Sequence, residues 1–430
     1  MKHTKLSLLG VIEYIFVVVL ILDCNSVFHA AVDFDLHLPI LSAALSVLLV
    51  IISSSKISIN DFFVSFGLLL FFTTYFIVKN DSVAKESYIC MFLIGVPLLT
   101  TYFSRMRREN RIHELFFKIE NVVVILAFIS VIIWLLGPVS HIISPNCSIN
   151  VNWGMTTKSK GYYYLVFEMT QDKTYGIGLV QNNAFFTEAP MLNLWLDIAI
   201  GTELFLKKES SKKRLVILLS CVLSTISTTA ILFVVICFML KFFSTRLIGS
   251  MTRKKIVMYV LAIVLLPLVI NFVVEILTIK SMTGSYKTRM MHFVAGYLMW
   301  RDNPIFGSGY GNLRSFLTGG YTTYTAAGGQ GFSNSVTAIL GTGGLWNTSI
   351  YLFAIIRPFI AKYEDKINIL CFIACYVYLS ITTIFFARYL QAVFIAYGMS
   401  FFHIEHYAAS LFGNSTEGIG VKRFGNKEIN

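Results

Sequence analysis

Long apolar runs, separated by short polar and charged stretches, recur evenly from residue 6 to about 405. The first, Leu6 to Leu22, follows the short basic segment 1–5 and resembles the core of a signal peptide. Phe28 or His29 stands where a small residue should precede cleavage, so an uncleaved first helix is expected. Further helices are expected at 38–54, 62–78, 88–104, 120–137 and 187–206. Beyond these come 214–224, 226–243, 255–279, 335–356, 367–386 and 389–405. Most have about the 17–25 residues that a bilayer requires. The stretch 214–243 is too long for one upright helix and short for two. Basic clusters on both flanks require it to go in and return, turning around Ser224-Thr-Ile-Ser-Thr-Thr229. Backbone exposed in such a turn must be buried in protein or lie beside water, and the hydroxyls offer local partners.

With that pair counted as two, the chain reads as an all-α polytopic membrane protein of about 12 transmembrane helices. Residues 1–407 form a single bundle, with long outer loops at 138–186 and 280–334. Residues 408–430 form a cytoplasmic tail. Composition agrees: 56% of the 430 residues are hydrophobic and 13% charged, with a mean hydropathy of +0.71, more apolar surface than a soluble domain can hide. The net charge of +12 would suit a nucleic-acid binder, but its distribution argues otherwise. In this topology 24 of the 35 Lys and Arg fall on the cytoplasmic side, Arg105, Arg107, Arg108 and Arg111 among them. Eight of the other 11 lie in the two long outer loops, which obey the positive-inside bias poorly. The charge therefore marks topology and places both termini in the cytoplasm, with no nucleic-acid partner. The seven cysteines show no CxxC spacing, so neither a metal site nor a disulfide framework is expected. No internal repeat is visible, which weighs against an inverted-repeat transporter.

Three constellations could carry chemistry. Glu188, in Phe185-Phe-Thr-Glu-Ala-Pro-Met191, either starts a helix whose first turn holds Pro190 or offers a partly desolvated carboxylate to a substrate hydroxyl. Arg289 precedes the amphipathic stretch Met290–Trp300. It either anchors an interfacial helix or grips phosphate with its planar fork. Arg301 and Arg314 are candidates for the same role. Gly307-Ser-Gly-Tyr-Gly311 follows a Pro turn and forms either a tight turn or an anion nest.

Taken in order, Phe186-Thr-Glu-Ala-Pro-Met191, Leu223-Ser-Thr-Ile-Ser-Thr-Thr-Ala230, Asn303-Pro-Ile-Phe-Gly-Ser-Gly-Tyr-Gly311 and Ser333-Asn-Ser335 with Gly344 resemble the O-antigen and capsular polysaccharide polymerases, relatives of the O-antigen ligases. The motifs cover about residues 170–350. The resemblance implies a bundle of the GT-C kind with its active site at the outer face of a bacterial cytoplasmic membrane. It implies a metal- and cofactor-free glycosyltransferase whose donor and acceptor are both undecaprenyl-diphosphate-linked oligosaccharides. Membrane lipid and a chain-length regulator protein are the further partners implied. On that reading Glu188 and Arg289 are catalytic, while Arg301, Arg314, Tyr310, Ser333 and Asn334 contact substrate. Two positions depart from the pattern. Gln181-Asn-Asn-Ala184 stands where members often carry an Arg, and Ser333 stands where ligases place a His. The second departure weighs against a ligase. A flippase of the same lipid-linked unit is the rival from another class, with Glu13, Asp197 and Glu275 its few ionisable candidates within apolar runs.

Overall fold

The computed structural model describes residues 7–31, 37–53, 58–79, 85–153, 155–169, 179–247, 278, 284–312, 332–361 and 365–402. Of these, 74% are helical. The helices are α1 (Leu8–Asp23), α2 (Val27–Ala31), α3 (His37–Ile52) and α4 (Ile59–Val78), then α5 (Lys85–Arg108), α6 (Glu114–Val139) and α7 (Ala189–Leu206). After them come α8 (Lys212–Ser224), α9 (Thr228–Leu247), α10 (Gly284–Asp302), α11 (Ser335–Ile360), α12 (Lys366–Thr382) and α13 (Tyr389–Met399). Five of them, α4, α5, α6, α7 and α11, are long and apolar enough to cross a membrane. The fold is that of a mostly helical, membrane-embedded protein. The expected run 255–279 lies almost wholly outside the described residues.

Helix α7 is the axis of the bundle, and nearly all of its side chains are buried. Helices α6, α8, α9 and α12 pack around it. Helix α6 is buried on one side, with Ile125, Phe128, Ile132 and Leu135 exposed along one stripe, as a lipid-facing helix does. The ambiguous stretch 214–243 is indeed two helices, and its turn is pinned from three sides. Asn182 Nδ2 donates to Ser224 Oγ at 2.9 Å, Thr225 Oγ1 donates to Asn193 Oδ1 at 3.0 Å, and Tyr378 OH donates to the Thr229 carbonyl at 2.7 Å.

The segment after α6 departs from the all-helical expectation. It folds into a three-stranded antiparallel sheet, β1 (Cys147–Trp153), β2 (Met155–Tyr162) and β3 (Val166–Phe167). Buried Tyr162 and Val166 seat it against Ile133 of α6. Tyr163 and Tyr164, both at positive φ, close the last hairpin, with Leu165 N donating to Tyr162 O at 3.0 Å.

Helix α11 breaks at Gly344 (φ 60°, ψ −164°), a conformation open essentially to glycine alone. The Pro304–Gly309 turn fills the break. Leu345 N donates to Pro304 O at 2.9 Å and Trp346 N to Ile305 O at 2.8 Å. In return Ser308 N donates to Gly341 O at 3.0 Å and Gly309 N to Thr342 O at 2.9 Å. Gly307 N is bonded to Asn303 O at 2.9 Å. The glycine-rich motif is therefore a plug whose amides serve α11, and of the two readings open in the sequence the tight turn holds, not the anion nest.

At the end of the bundle away from Glu188, acids and bases pair inside. Lys118 meets Glu13 at 2.7 Å, Lys207 meets Glu120 at 2.5 Å and Glu203 at 2.6 Å, and Arg214 meets Glu120 at 2.9 Å. Each pair joins two helices or braces the end of one. Losing one partner of such a pair would strand a buried charge, at about 3–5 kcal/mol.

Candidate active site

The site gathers on a gap in the helical chain. Helix α12 stops at Thr382 rather than running on to 386, and α13 starts at Tyr389. Thr383 (φ −137°, ψ 149°) and Arg388 (φ −110°, ψ 146°) at the two ends of the gap are extended. Backbone groups of such a segment need outside partners, and each comes from a different element. The Thr382 carbonyl accepts from Arg289 Nη1 of α10 at 2.8 Å. The Thr383 carbonyl accepts from Ser335 of α11, its amide at 3.1 Å and its hydroxyl at 2.9 Å. That hydroxyl in turn accepts from Phe385 N at 2.9 Å. The Ile384 carbonyl accepts from Asn25 Nδ2 at 3.2 Å.

Asn25 carries the second half of the site. Its backbone is left-handed (φ 59°), a conformation Asn tolerates better than most residues. Its carbonyl accepts from both the amide and the hydroxyl of Thr187 at 3.2 Å. The next two residues add a bridge from Ser26 to Phe186 and a bond from Val27 N to Phe185 O at 2.8 Å. The turn bearing Glu188 is thus fastened to the segment following α1. Glu188 occupies the N-cap of α7 with extended backbone, yet its side chain makes no capping hydrogen bond. The carboxylate is half-buried, and its charge acts on Arg289. Burial lowers the Arg289 guanidinium from its ordinary value, and the Glu188 carboxylate pulls it back up. The two residues singled out as catalytic thus lie near enough for the Glu188 charge to act on Arg289. His292, one turn along α10, is pushed below the usual imidazole range by burial and then by the Arg289 charge, which leaves it neutral at pH 7.

The other expected contacts divide. Asn334 caps α11, its Oδ1 accepting from Thr337 N at 2.9 Å and from Thr337 Oγ1 at 2.8 Å. Asn334 Nδ2 and Ser333 Oγ are buried with no hydrogen-bond partner among the described residues, so both have capacity left for a ligand. Tyr310 is 3% exposed and packs on Tyr88, Phe92 and Phe386 at ring separations of 5.3, 5.3 and 5.9 Å. It is a core aromatic at the edge of the site. Arg301 is not brought in. Its side chain is 60% exposed and pairs with its neighbour Asp302 at 3.1 Å. Twelve residues of helix separate it from Arg289, about 18 Å. Arg314 lies outside the described residues.

No protein-family model, no curated protein and no solved structure matches this chain.

The sequence reading missed Arg388. Its Nε and Nη2 both donate to Asn25 Oδ1, at 3.1 and 2.8 Å, and its Nη1 donates to His29 Nε2 at 2.5 Å. A signal was present. Arg388 is a lone cation in the two-residue gap between the last two apolar runs, which the expected topology places on the side where the positive-inside bias disfavours it. Asn25 and His29 carried no such signal. Among the described residues no group of His, Cys, Asp and Glu could hold a metal ion.

Proposed function

We propose that this chain is a polysaccharide polymerase, a glycosyltransferase acting on polyprenyl-diphosphate-linked repeat units at the outer face of a bacterial cytoplasmic membrane. The observation that carries the reading is the nearness of Glu188 and Arg289. A half-buried carboxylate that makes no capping hydrogen bond lies within electrostatic range of a guanidinium with one hydrogen bond among the described residues, to the Thr382 carbonyl. A hydroxyl of the acceptor sugar attacks the anomeric carbon of the donor chain. The new glycosidic C–O bond forms as the anomeric C–O bond to phosphate breaks. Glu188 takes the hydroxyl proton, and the polyprenyl diphosphate leaves with the bonding pair. Arg289 stabilises the charge gathering on that diphosphate with fixed positive charge. Asn334 Nδ2 and Ser333 Oγ orient sugar hydroxyls, and the lipid tails stay in the bilayer.

The reading requires about 12 spans, both termini in the cytoplasm and the segment 138–186 outside. A membrane-impermeant thiol reagent applied to intact spheroplasts should label a cysteine introduced at Lys160, above the native background, and leave one at Ser210 untouched. The reverse pattern would move the chemistry to the wrong face.

The glycan made by a deletion strain tests the activity. A single repeat on the lipid anchor is the expected result. No repeats at all would instead mark a ligase, and lipid-linked units accumulating inside would mark a flippase. The flippase reading rests on Asp197, midway along α7 and buried, with Oδ1 making no hydrogen bond among the described residues. Its other described candidate, Glu13, is tied to Lys118 and Tyr102. Glu275 lies outside the described residues.

A further inference from the structure

Arg289 and Arg388, at the site end of the bundle, are held by neutral acceptors. Arg289 donates to a carbonyl, and Arg388 to an amide oxygen and an imidazole nitrogen. Because a guanidinium has no acceptor, His29 Nε2 must accept, so His29 is neutral in this arrangement. The carboxylate nearby belongs to Asp23, and its Oδ2 accepts from Tyr389 N at 3.0 Å. It thus faces the N-terminus of α13, where the helix dipole favours negative charge. Among the described residues no carboxylate forms an ion pair with Arg388.

Its hydrogen-bonding capacity is not used up either. Of five N–H donors, three are spent on Asn25 and His29. Among the described residues, one N–H on each terminal nitrogen remains without an acceptor. Two donors on one planar fork suit the bidentate capture of an oxyanion. Asn25 and His29 fix the plane of that fork, which lowers the entropy lost on binding. Arg388 is only half-buried. It lies six residues from Thr382, the partner of Arg289, within about 20 Å even along fully extended chain.

We propose that Arg388, braced by Asn25 and His29, is a second phosphate-binding subsite beside that of Arg289. Resting on the polymerase reading, it holds the diphosphate of one lipid-linked substrate while Arg289 holds that of the other. Two guanidinium groups at opposite ends of the short gap between α12 and α13, which turns at Phe386 and Ala387, set the two head groups at a fixed separation. A transfer between two lipid-linked substrates requires such spacing.

Inorganic pyrophosphate is the probe, with the full chain in nanodiscs of phosphatidylcholine. In the unmutated protein, pyrophosphate should protect both Arg289 and Arg388 from phenylglyoxal, read by mass spectrometry, and leave exposed Arg301 unprotected. Arg388→Gln should lose one class of pyrophosphate site, weakening it by about tenfold to a hundredfold, and keep the Arg289 class. Equal modification of Arg388 with and without pyrophosphate would overturn the subsite, and so would a full complement of sites in Arg388→Gln. A repeat in phosphatidylglycerol nanodiscs separates the sources. Protection of Arg388 by that lipid alone would assign the fork to a lipid headgroup and overturn the substrate role. Binding is read without polymer formation, so failure of the subsite and failure of the polymerase reading are distinguishable.

Discussion

Arg289→Lys and Arg289→Ala should each abolish the polymer or shorten it severely, with the amount of protein in the membrane unchanged. Lys could still reach the Thr382 carbonyl that Arg289 Nη1 holds at 2.8 Å. What it lacks is the planar fork that can bond that carbonyl and a phosphate oxygen together. Removing one hydrogen-bond donor aimed at a developing oxyanion costs about 10²–10³-fold in rate in well-studied enzymes, enough to leave single repeats on the lipid. Glu188→Gln is the companion. It keeps the size of the side chain and removes the basic oxygen, for about 10²–10⁴-fold. As Glu188 makes no capping hydrogen bond, the helix start should survive the change. A fully active Arg289→Lys protein would reduce this residue to a brace for the end of α12. The comparison residue is Arg111, 41% exposed and 3.5 Å from Glu109, whose replacement by Ala should be silent. Arg105 cannot serve. It reads as a topology marker in the sequence, yet it is buried, with Nη1 donating to Val50 O at 2.5 Å and to Ser53 Oγ at 3.0 Å.

Gly344→Ala should leave almost no folded protein. The backbone there has φ 60° and ψ −164°, a region that costs any other residue about 1–3 kcal/mol. An added Cβ would also collide with the Gly307 amide and the Ile305 carbonyl. Those atoms belong to the plug itself, so relieving the clash would break the exchange of hydrogen bonds that closes the kink. Together these terms pass the roughly 4 kcal/mol above which single substitutions become exceptional. Gly67→Ala is the control. No atom lies within 4 Å of its added methyl, and Ala is the better helix former by about 1 kcal/mol. Gel filtration of detergent extracts after graded heating separates the two. A Gly344→Ala protein with the parent's melting profile would show that the plug is dispensable.

The helices were legible because each is a local matter. An apolar run must satisfy its own backbone hydrogen bonds in lipid, and a helix does so without help from distant residues. Turn chemistry was legible for the same reason. The Ser224–Thr229 turn and the Pro304–Gly311 turn stand where their residues placed them. Glu188 and Arg289 could be named from residue type and position, since a carboxylate before an Ala-Pro helix start and an Arg in a basic loop carry chemistry in any fold.

What joins them could not be read. Arg388 meets Asn25 across 363 residues and His29 across 359, and no local pattern reports contacts at such separation. The shorter α12 was hidden too. Ile384, Phe385 and Phe386 continue the apolar run, and the helix stops because Ser335 and Asn25 offer the freed carbonyls better partners. Arg301 was misplaced for the converse reason. Charge alone made it equivalent to Arg289, and only the helix between them carries one to the site and the other 18 Å or so away. Sequence by itself determined that the chain is mostly helical and where most of its helices lie, because that depends on each segment alone. The tertiary structure decided which of the scattered polar groups share a site, because that depends on where α10, α11, α12 and the segment after α1 converge.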